Sequence, residues 1–217
     1  MGRFVKPEGA IDQMIDLLTL AAFVPASLAL NLTPGADMMF CLGQGLRSGP
    51  RAAVAASAGI SAGSMVHVLL AGLGLGAVIA AVPWAFDAIR WAGVAYLLFL
   101  AVQSLRSHGG AQHKAAALRP ARAFATGFIV NLTNPKLIFF VLAFLPQFVK
   151  PEAGSVLLQF LIFGSIIGLF GFFINAAVGV FAGGVGRRVA SGSRALSWIT
   201  SGIFVALAAR LALMERT

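Results

Sequence analysis

The sequence is poor in charged residues and has a single cysteine, Cys41. Asp, Glu, Lys and Arg together make up 11% of the 217 residues, whereas 59% are hydrophobic and the mean hydropathy is +0.91. A soluble globular domain carries about 25% charged residues, so this composition excludes a cytosolic enzyme, a disordered chain and a collagen. A single cysteine cannot form a disulfide within its own chain, so a disulfide scaffold is excluded. A zinc site and CxxC redox chemistry are excluded for the same lack of cysteines. The solvent that fits such a chain is a lipid bilayer.

Acidic residues are especially scarce, with 7 Asp and Glu against 16 Lys and Arg, for a net charge of +9. In a soluble protein this excess would suggest nucleic-acid binding, which needs a basic face interleaved with polar surface. Here the basic residues stand at the ends of apolar runs, which is the pattern that orients membrane proteins. We therefore predict no nucleic-acid partner.

Long apolar runs divide the chain into six predicted transmembrane segments. About 20 helical residues cross the ~30 Å hydrocarbon core of a bilayer, and the strict alternation expected of a membrane β-barrel is missing. The predicted fold class is therefore an all-α integral membrane protein with six transmembrane helices. The predicted helices are residues 14–46, 52–82, 88–105, 123–149, 155–185 and 196–213.

Basic residues are concentrated in every second connection between these segments. The second and fourth connections contribute only Lys150, apart from Arg90 just inside the third segment. Because Lys and Arg mark cytoplasmic connections, we expect the first, third and fifth connections in the cytoplasm and both termini outside. The basic residues of these three connections are Arg47 and Arg51; Arg106, Lys114, Arg119 and Arg122; and Arg187, Arg188 and Arg194.

The two halves of the chain contain matching sequences. Asn31-Leu-Thr-Pro34 recurs as Asn131-Leu-Thr-Asn-Pro135, and segments two and five each carry two Gly-x-x-x-Gly pairs, a spacing that lets helix backbones approach closely. A unit of three transmembrane helices begins and ends on opposite sides of the membrane. A second copy of the unit therefore has the inverted orientation, as in many transporters. We predict a first three-helix repeat over 1–106, a cytoplasmic linker over 107–121 and a second repeat over 122–217. For the glycine pairs alone, chance similarity of Gly-rich helices is the alternative.

A helix break is predicted at each repeated proline. Pro34 and Pro135 lack an N–H and clash with the preceding turn, while Thr33 and Asn134 are good N-cap residues. Each segment is therefore expected to contain one helix that stops and a second that starts. A pair of simple proline kinks is the alternative. The side-chain amides expected to satisfy the freed backbone groups are those of Asn31 and Asn131.

Two charged residues lie just past these breaks, inside apolar sequence. Since a charge at the bilayer centre costs about 2.5–3.5 kcal/mol, Asp37 and Lys136 should both point into a shared interior. Asp37 is expected in the first turn of a helix, where the dipole favours an anion, whereas Lys136 is placed against its helix dipole and needs an anionic partner. That partner is either Asp37 itself or the carboxylate of a substrate. An amino acid would place its carboxylate near Lys136 and its ammonium near Asp37.

Two further polar residues extend the candidate site. His67 follows Gly63 by one helical turn, and Asn175 precedes Gly179 by one turn, so either could line a substrate path. An interhelical hydrogen bond is the alternative for His67. No metal and no cofactor are predicted. The complete predicted substrate-binding set is Asp37, Lys136, Asn31, Asn131, Pro34, Gly35, Pro135, His67 and Asn175.

Several stretches of the chain carry a family resemblance. They are Asn31-Leu-Thr-Pro-Gly-Ala-Asp37, the turn 43–49, the glycine-rich helix 59–76, Gly127-Phe-Ile-Val-Asn131-Leu-Thr-Asn-Pro-Lys136 and Phe144-Leu-Pro-Gln-Phe148. Over residues 14–213 or so, the chain resembles the lysine exporter (LysE) superfamily, specifically its homoserine/threonine exporter (RhtB-like) branch. The family usually has Pro-Gly-Pro at the first break, and here Ala36 replaces the second proline.

The resemblance implies a six-helix exporter that moves amino acids or their derivatives out of the bacterial cytoplasm across the inner membrane, energised by proton antiport. Both termini would then be periplasmic. Substrates in the family range over lysine, arginine, threonine, homoserine and leucine, so membership names none of them. The expected partners are an amino-acid substrate, protons and the lipid bilayer, and assembly into a homo-oligomer is left open.

The predicted function is secondary active export by alternating access, with one repeat rocking against the other around a midplane site. Asp37 would be the proton-coupled carboxylate and Lys136 the cation that orients a substrate carboxylate. A passive channel or a non-transporting scaffold is the alternative, for which a ring of like charges or a hydrophobic gate would be expected. An intramembrane hydrolase built on Ser57 and His67 is excluded, because ten helical residues separate them by about 15 Å.

Overall fold

The computed structural model describes residues 16–81, 84–106, 117–182 and 194–213. These residues form helices and short connections without a β-strand, so the predicted all-α fold is confirmed for this part of the chain. Most of the predicted linker, with Lys114, lies outside the described residues. So do both chain ends and the basic residues Arg187 and Arg188.

Eight α-helices follow one another along the described chain, and short π and 3₁₀ segments continue the sixth. They are α1 (Leu17–Leu32), α2 (Ala36–Ser48), α3 (Pro50–Ala81), α4 (Trp84–Arg106), α5 (Pro120–Leu132), α6 (Pro135–Phe139, continued by the π-helix Phe140–Phe144 and the 3₁₀ turn Leu145–Phe148), α7 (Val156–Val180) and α8 (Arg194–Ala212).

Both predicted helix breaks are present. The axes of α1 and α2 differ by 53°, and those of α5 and the segment Pro135–Phe148 differ by 52°. The second break follows the prediction closely, because the Asn134 side chain accepts a hydrogen bond from the Lys136 N–H at 3.0 Å and so caps α6. The predicted N-cap role of Thr33 is wrong. Thr33 ends α1, where its hydroxyl donates to the Ala29 carbonyl at 2.7 Å, and Gly35 precedes α2 without a side-chain cap.

Two of the helices are long and apolar enough to cross a membrane. These spans are Pro50–Gly74 within α3 and Val156–Val180 in α7, and the described residues contain four spans if each bent pair counts as one. Helices α4 and α8 contribute shorter apolar stretches, Trp91–Gln103 and Ser197–Ala209. The chain is therefore a multi-pass helical membrane protein.

Helices α3 and α7 pack against each other at the centre of the fold. Each also packs against the broken segment of the other half, α3 along α5 and α7 along α1 and α2, while α4 packs against α8. Backbone contact between α3 and α5 depends on glycine, because a Cβ added at Gly59 would overlap the Phe124 carbonyl and one at Gly127 would overlap the Ala56 carbonyl. Small residues thus bring these helices together.

The side of the molecule where α2 ends, here called the Gly49 face, is held together by a tight turn and by close contacts between helices. Gly49 adopts a φ of 84°, which favours glycine, and turns the chain from α2 into α3. The Leu118 N–H donates to the Ser48 hydroxyl at 2.9 Å and ties the start of α5 to the end of α2. On the same side a Cβ at Gly45 would overlap the backbone of Gly179, so α2 and α7 also touch closely.

The opposite side, where α1 begins, is here called the Asp16 face and contains an ion pair and a cluster of packed aromatic rings. Lys150 Nζ lies 2.6 Å from Asp16 Oδ2, and this hydrogen bond holds the pKa of the Asp16 carboxyl well below its usual range. The buried Gln159 amide bonds the Lys150 backbone in both directions at 2.8 Å. Beneath them lies a cluster of fully buried rings from α1, α7 and the segment after Pro135. These rings are Phe23, Phe140, Phe144, Phe148, Phe160 and Phe163.

Candidate functional site

A polar cavity lies between the two helix breaks, with α3 and α7 as its walls. The space inside it that the centre of a water molecule can occupy is about 20 Å³, which holds about one water molecule and not a whole amino acid. Of the nine predicted site residues, Pro34, Gly35, Pro135 and His67 shape or flank the breaks without lining the cavity. The five that line it are Asn31, Asp37, Asn131, Lys136 and Asn175.

Lys136 joins the two breaks. Its Nζ donates to the backbone carbonyls of Leu30 and Thr33, each at 2.8 Å. These carbonyls stand at the C-terminal end of α1, where the helix leaves acceptors unpaired and the dipole favours a cation. The side chain therefore leaves the unfavourable N-terminus of α6 and caps the end of a helix in the other half. An ion pair with Asp37 within 4.0 Å is not found among the described residues.

The two asparagines do not satisfy the carbonyls freed at the first break, so that prediction is wrong. Asn31 Nδ2 donates to the Ser27 carbonyl inside α1 at 2.9 Å and to the Ile167 carbonyl of α7 at 3.3 Å. Asn131 Nδ2 donates to Asp37 Oδ2 at 3.0 Å. Lys136 takes the role at the first break because an ammonium supplies several N–H donors to one carbonyl cluster.

Asp37 lies in the first turn of α2, as predicted, where the helix N-terminus favours a negative charge. One of its carboxylate oxygens, Oδ2, accepts from Asn131, and the other, Oδ1, is buried without a hydrogen-bond partner in the described part of the chain. Asn131 Oδ1 and Asn175 Oδ1 are also buried and unpaired there. The carboxylate and these two amides thus leave free acceptors beside the cavity.

His67 makes the interhelical contact that was its alternative interpretation. Its Nε2 lies 3.4 Å from the Asn131 carbonyl oxygen, so it joins α3 to the end of α5. Each break asparagine also fits against a glycine of the facing wall. A Cβ at Gly63 would lie 3.0 Å from Asn131 Oδ1, and one at Gly171 would lie 2.8 Å from Asn31 Oδ1.

The wall serines were missed by the sequence reasoning. Ser61 and Ser64 line the cavity, and one turn before them Ser57 donates to the Phe172 carbonyl at 2.7 Å. Ser61 donates to the Gly168 carbonyl at 3.0 Å, so two of these hydroxyls bond α3 to α7. Their spacing of four and three residues places them on one face of a helix, which is the signal that would have revealed them.

Comparison with known proteins gives a consistent set of similarities. Residues 28–215 match the sequence profile of a family described as LysE type translocator. The chain is 37% identical over 145 residues to the homoserine/homoserine lactone efflux protein of Salmonella typhimurium (strain LT2), covering 66% of this chain and 70% of that protein. It is 29% identical over 203 residues to the leucine efflux protein of Enterobacter sp. (strain 638), covering 90% and 96%.

An uncharacterized membrane protein of Vibrio cholerae serotype O1 is 33% identical over 152 residues, covering 69% of this chain and 74% of that protein. No solved structure matches the chain.

Proposed function

This chain belongs to the LysE type translocator family, and from that premise we propose that it exports amino acids or amino-acid derivatives across the bacterial inner membrane. Relatives named for the efflux of homoserine, homoserine lactone and leucine support this class of substrate. The observation that carries the proposal is the polar cavity between two broken apolar helices. Interrupted backbone is tolerated in a bilayer where it lines a cavity, and secondary transporters bind their solutes at such breaks.

We further propose six transmembrane helices arranged as two inverted three-helix repeats, with both termini periplasmic. The packing of the helices supports this arrangement, because corresponding helices of the two proposed repeats pack together, α3 with α7 and α4 with α8. In addition, α3 and α7 each pack on the broken segment of the other half. The matched breaks, with bends of 53° and 52°, support it as well. The Gly49 face would be cytoplasmic and the Asp16 face periplasmic.

The proposed transport cycle is alternating access around this cavity. A space that admits about one water molecule is too small for the solute, and the described residues pack on both faces, through glycine backbone contacts on one and through the phenylalanine cluster and the Asp16–Lys150 ion pair on the other. We assign this structure to an occluded conformation. Each face would then separate in turn, and the proton gradient would drive the cycle.

Within this cycle, Asp37 is proposed to carry the coupled proton, because its carboxylate lines the cavity, its Oδ1 is buried and Asn131 holds Oδ2 in place. Lys136 stays in the proposed substrate-binding set as part of the cavity wall. Its bonds to Leu30 and Thr33 support a positioning role, in which it keeps the first break open. Asn31 and Asn175 complete the wall on the side of α7.

Solute counterflow in proteoliposomes tests the proposed function. Liposomes containing the purified protein are loaded with one unlabelled amino acid and diluted into a trace of its labelled form, across the common amino acids and homoserine. A carrier accumulates the label transiently, whereas a channel only equilibrates it and a scaffold or an empty liposome does neither. We expect transient accumulation for at least one solute. Its absence for every solute in the panel would contradict export by a carrier.

A further inference from the structure

The cavity has more free hydrogen-bond acceptors than free donors. Asp37 Oδ1, Asn131 Oδ1 and Asn175 Oδ1 are buried without a partner among the described residues. The two asparagines are 1% and 4% exposed, so both are buried. Leaving a buried acceptor unpaired costs about 1–3 kcal/mol, and most buried polar atoms in proteins are paired. Three such atoms on residues lining one cavity therefore point to a ligand with several donors.

Most donors around the same cavity are already used. Asn134 Nδ2 is buried without a partner in the described part of the chain, but Asn134 does not line the cavity. Ser61 and Ser64 donate to backbone carbonyls at 3.0 and 2.7 Å. Lys136 gives two of its three N–H groups to the carbonyls at the end of α1. Asn131 faces the Asp37 carboxylate, which can only accept a hydrogen bond when it is ionised. The amide nitrogen of Asn131 must therefore be the atom bonded to Asp37, and its amide oxygen, Oδ1, is left without a partner. The buried unpaired atoms of the described lining residues are acceptors, and one of them belongs to a carboxylate, so the lining favours a cationic donor over an anion.

We propose that this cavity binds the primary ammonium group of the transported solute through the oxygens of Asp37, Asn131 and Asn175, and that a free carboxylate is not required for recognition. The inference rests on the proposed function and narrows its substrate class to primary amines, which include amino acids and their amides, esters and lactones. An ammonium offers three N–H donors and one positive charge, which matches three acceptors and one carboxylate. A head group of this size suits the small cavity of this structure, whereas the rest of the solute needs a wider conformation.

Competition in the counterflow assay tests the ammonium site on the full-length protein without any mutation. The labelled solute is an amino acid that shows counterflow, and the competitors are its amide, which keeps the ammonium, and its N-acetyl derivative, which keeps only the carboxylate. We expect the amide to compete within about tenfold of the parent amino acid and the N-acetyl derivative to be more than about tenfold weaker. Equal competition by the N-acetyl derivative would overturn the inference while leaving export itself intact.

Sodium is the other source of the same chemistry, since carboxylate and amide oxygens also bind small metal cations. The assay is therefore repeated in sodium chloride and in choline chloride at equal ionic strength. We expect the same concentration of amino acid to give half-maximal competition in both salts. Weaker competition by the amino acid in sodium chloride would assign the three oxygens to a metal ion and overturn the ammonium site.

Asn175 supplies a matched pair of variants. Asn175→Leu removes the acceptor at similar size and should weaken competition by the amino acid and by its amide about tenfold, whereas Asn175→Asp keeps an oxygen and should retain it. Ser165→Ala, an exposed position on the same helix, is the control and should match the parent protein. Unchanged competition in a folded Asn175→Leu protein would remove Asn175 from the site. The competitor series keeps the inference testable if that variant does not fold.

Discussion

Asp37→Asn is expected to reduce proton-driven export to the rate of protein-free liposomes while the protein still folds. The amide has nearly the shape of the carboxylate and keeps an oxygen that can accept from Asn131 Nδ2, now at 3.0 Å from Asp37 Oδ2. It cannot bind and release a proton near neutral pH, so coupling to a pH gradient is lost. The measurement is efflux of a counterflow-positive amino acid driven by an imposed pH gradient.

The control for this variant is Glu152→Gln, the same acid-to-amide change at an exposed position in the turn Pro151–Ala153. It should export at the parent rate. Gel filtration and thermal unfolding of both variants in detergent establish that each is folded. Parent export rates from a folded Asp37→Asn protein would remove Asp37 from the coupling mechanism.

Lys136→Met is expected to lower the free energy of unfolding by about 2–5 kcal/mol, even without substrate. The change keeps a long side chain but removes both 2.8 Å bonds, leaving the Leu30 and Thr33 carbonyls without their donor. Unfolding is followed by titration with a denaturing detergent in mixed micelles.

Lys150→Met is the matched control, because Lys150 is 45% exposed and its partner Asp16 is 44% exposed. An exposed ion pair contributes little to stability, so this variant should remain close to the parent protein. If Lys136 instead served only a substrate carboxylate, Lys136→Met would be as stable as Lys150→Met and would lose transport alone. That result would contradict the role of Lys136 as the cap of α1.

The helix breaks were predictable because proline chemistry is local. Asn134 is a good N-cap residue, and Pro135, which follows it, cannot continue a preceding helix but is favoured at the first position of a new one. This pair of residues therefore marks the start of a new helix. At Pro34 the same reasoning placed the break correctly but misassigned Thr33. That residue has a hydroxyl that reaches back to Ala29 as readily as forward, and the sequence does not distinguish the two directions.

The partner of Lys136 was not predictable from sequence, because it is a pair of backbone carbonyls in the other half of the chain. Lys136 lies at the N-terminus of its own helix, which disfavours a cation, as predicted. The C-terminal end of α1 favours a cation for the same reason, but only the packing of the two breaks brings the Leu30 and Thr33 carbonyls within reach. Backbone acceptors have no residue type by which a sequence could reveal them.

The widening of the helix after Phe139 was not predicted either. Phe140–Phe144 forms a π-helix and Leu145–Phe148 a 3₁₀ turn, and a run of apolar residues carries no sign of such a change in pitch. π-helical turns occur often at functional sites. This one carries rings of the phenylalanine cluster, and in the chain it directly follows the helix whose Lys136 and Leu137 line the cavity.

Protection of one cavity residue from labelling tests most directly whether solute occupies the space between the two breaks. With Cys41 replaced by Ala, Ser64→Cys places the chain's single thiol on the cavity wall, and Glu152→Cys places it in an exposed turn. The rate of maleimide labelling is measured with and without a saturating amino acid that the same protein transports. We predict slower labelling at position 64 and no change at position 152. Equal rates at position 64 with and without the solute would contradict binding in this cavity.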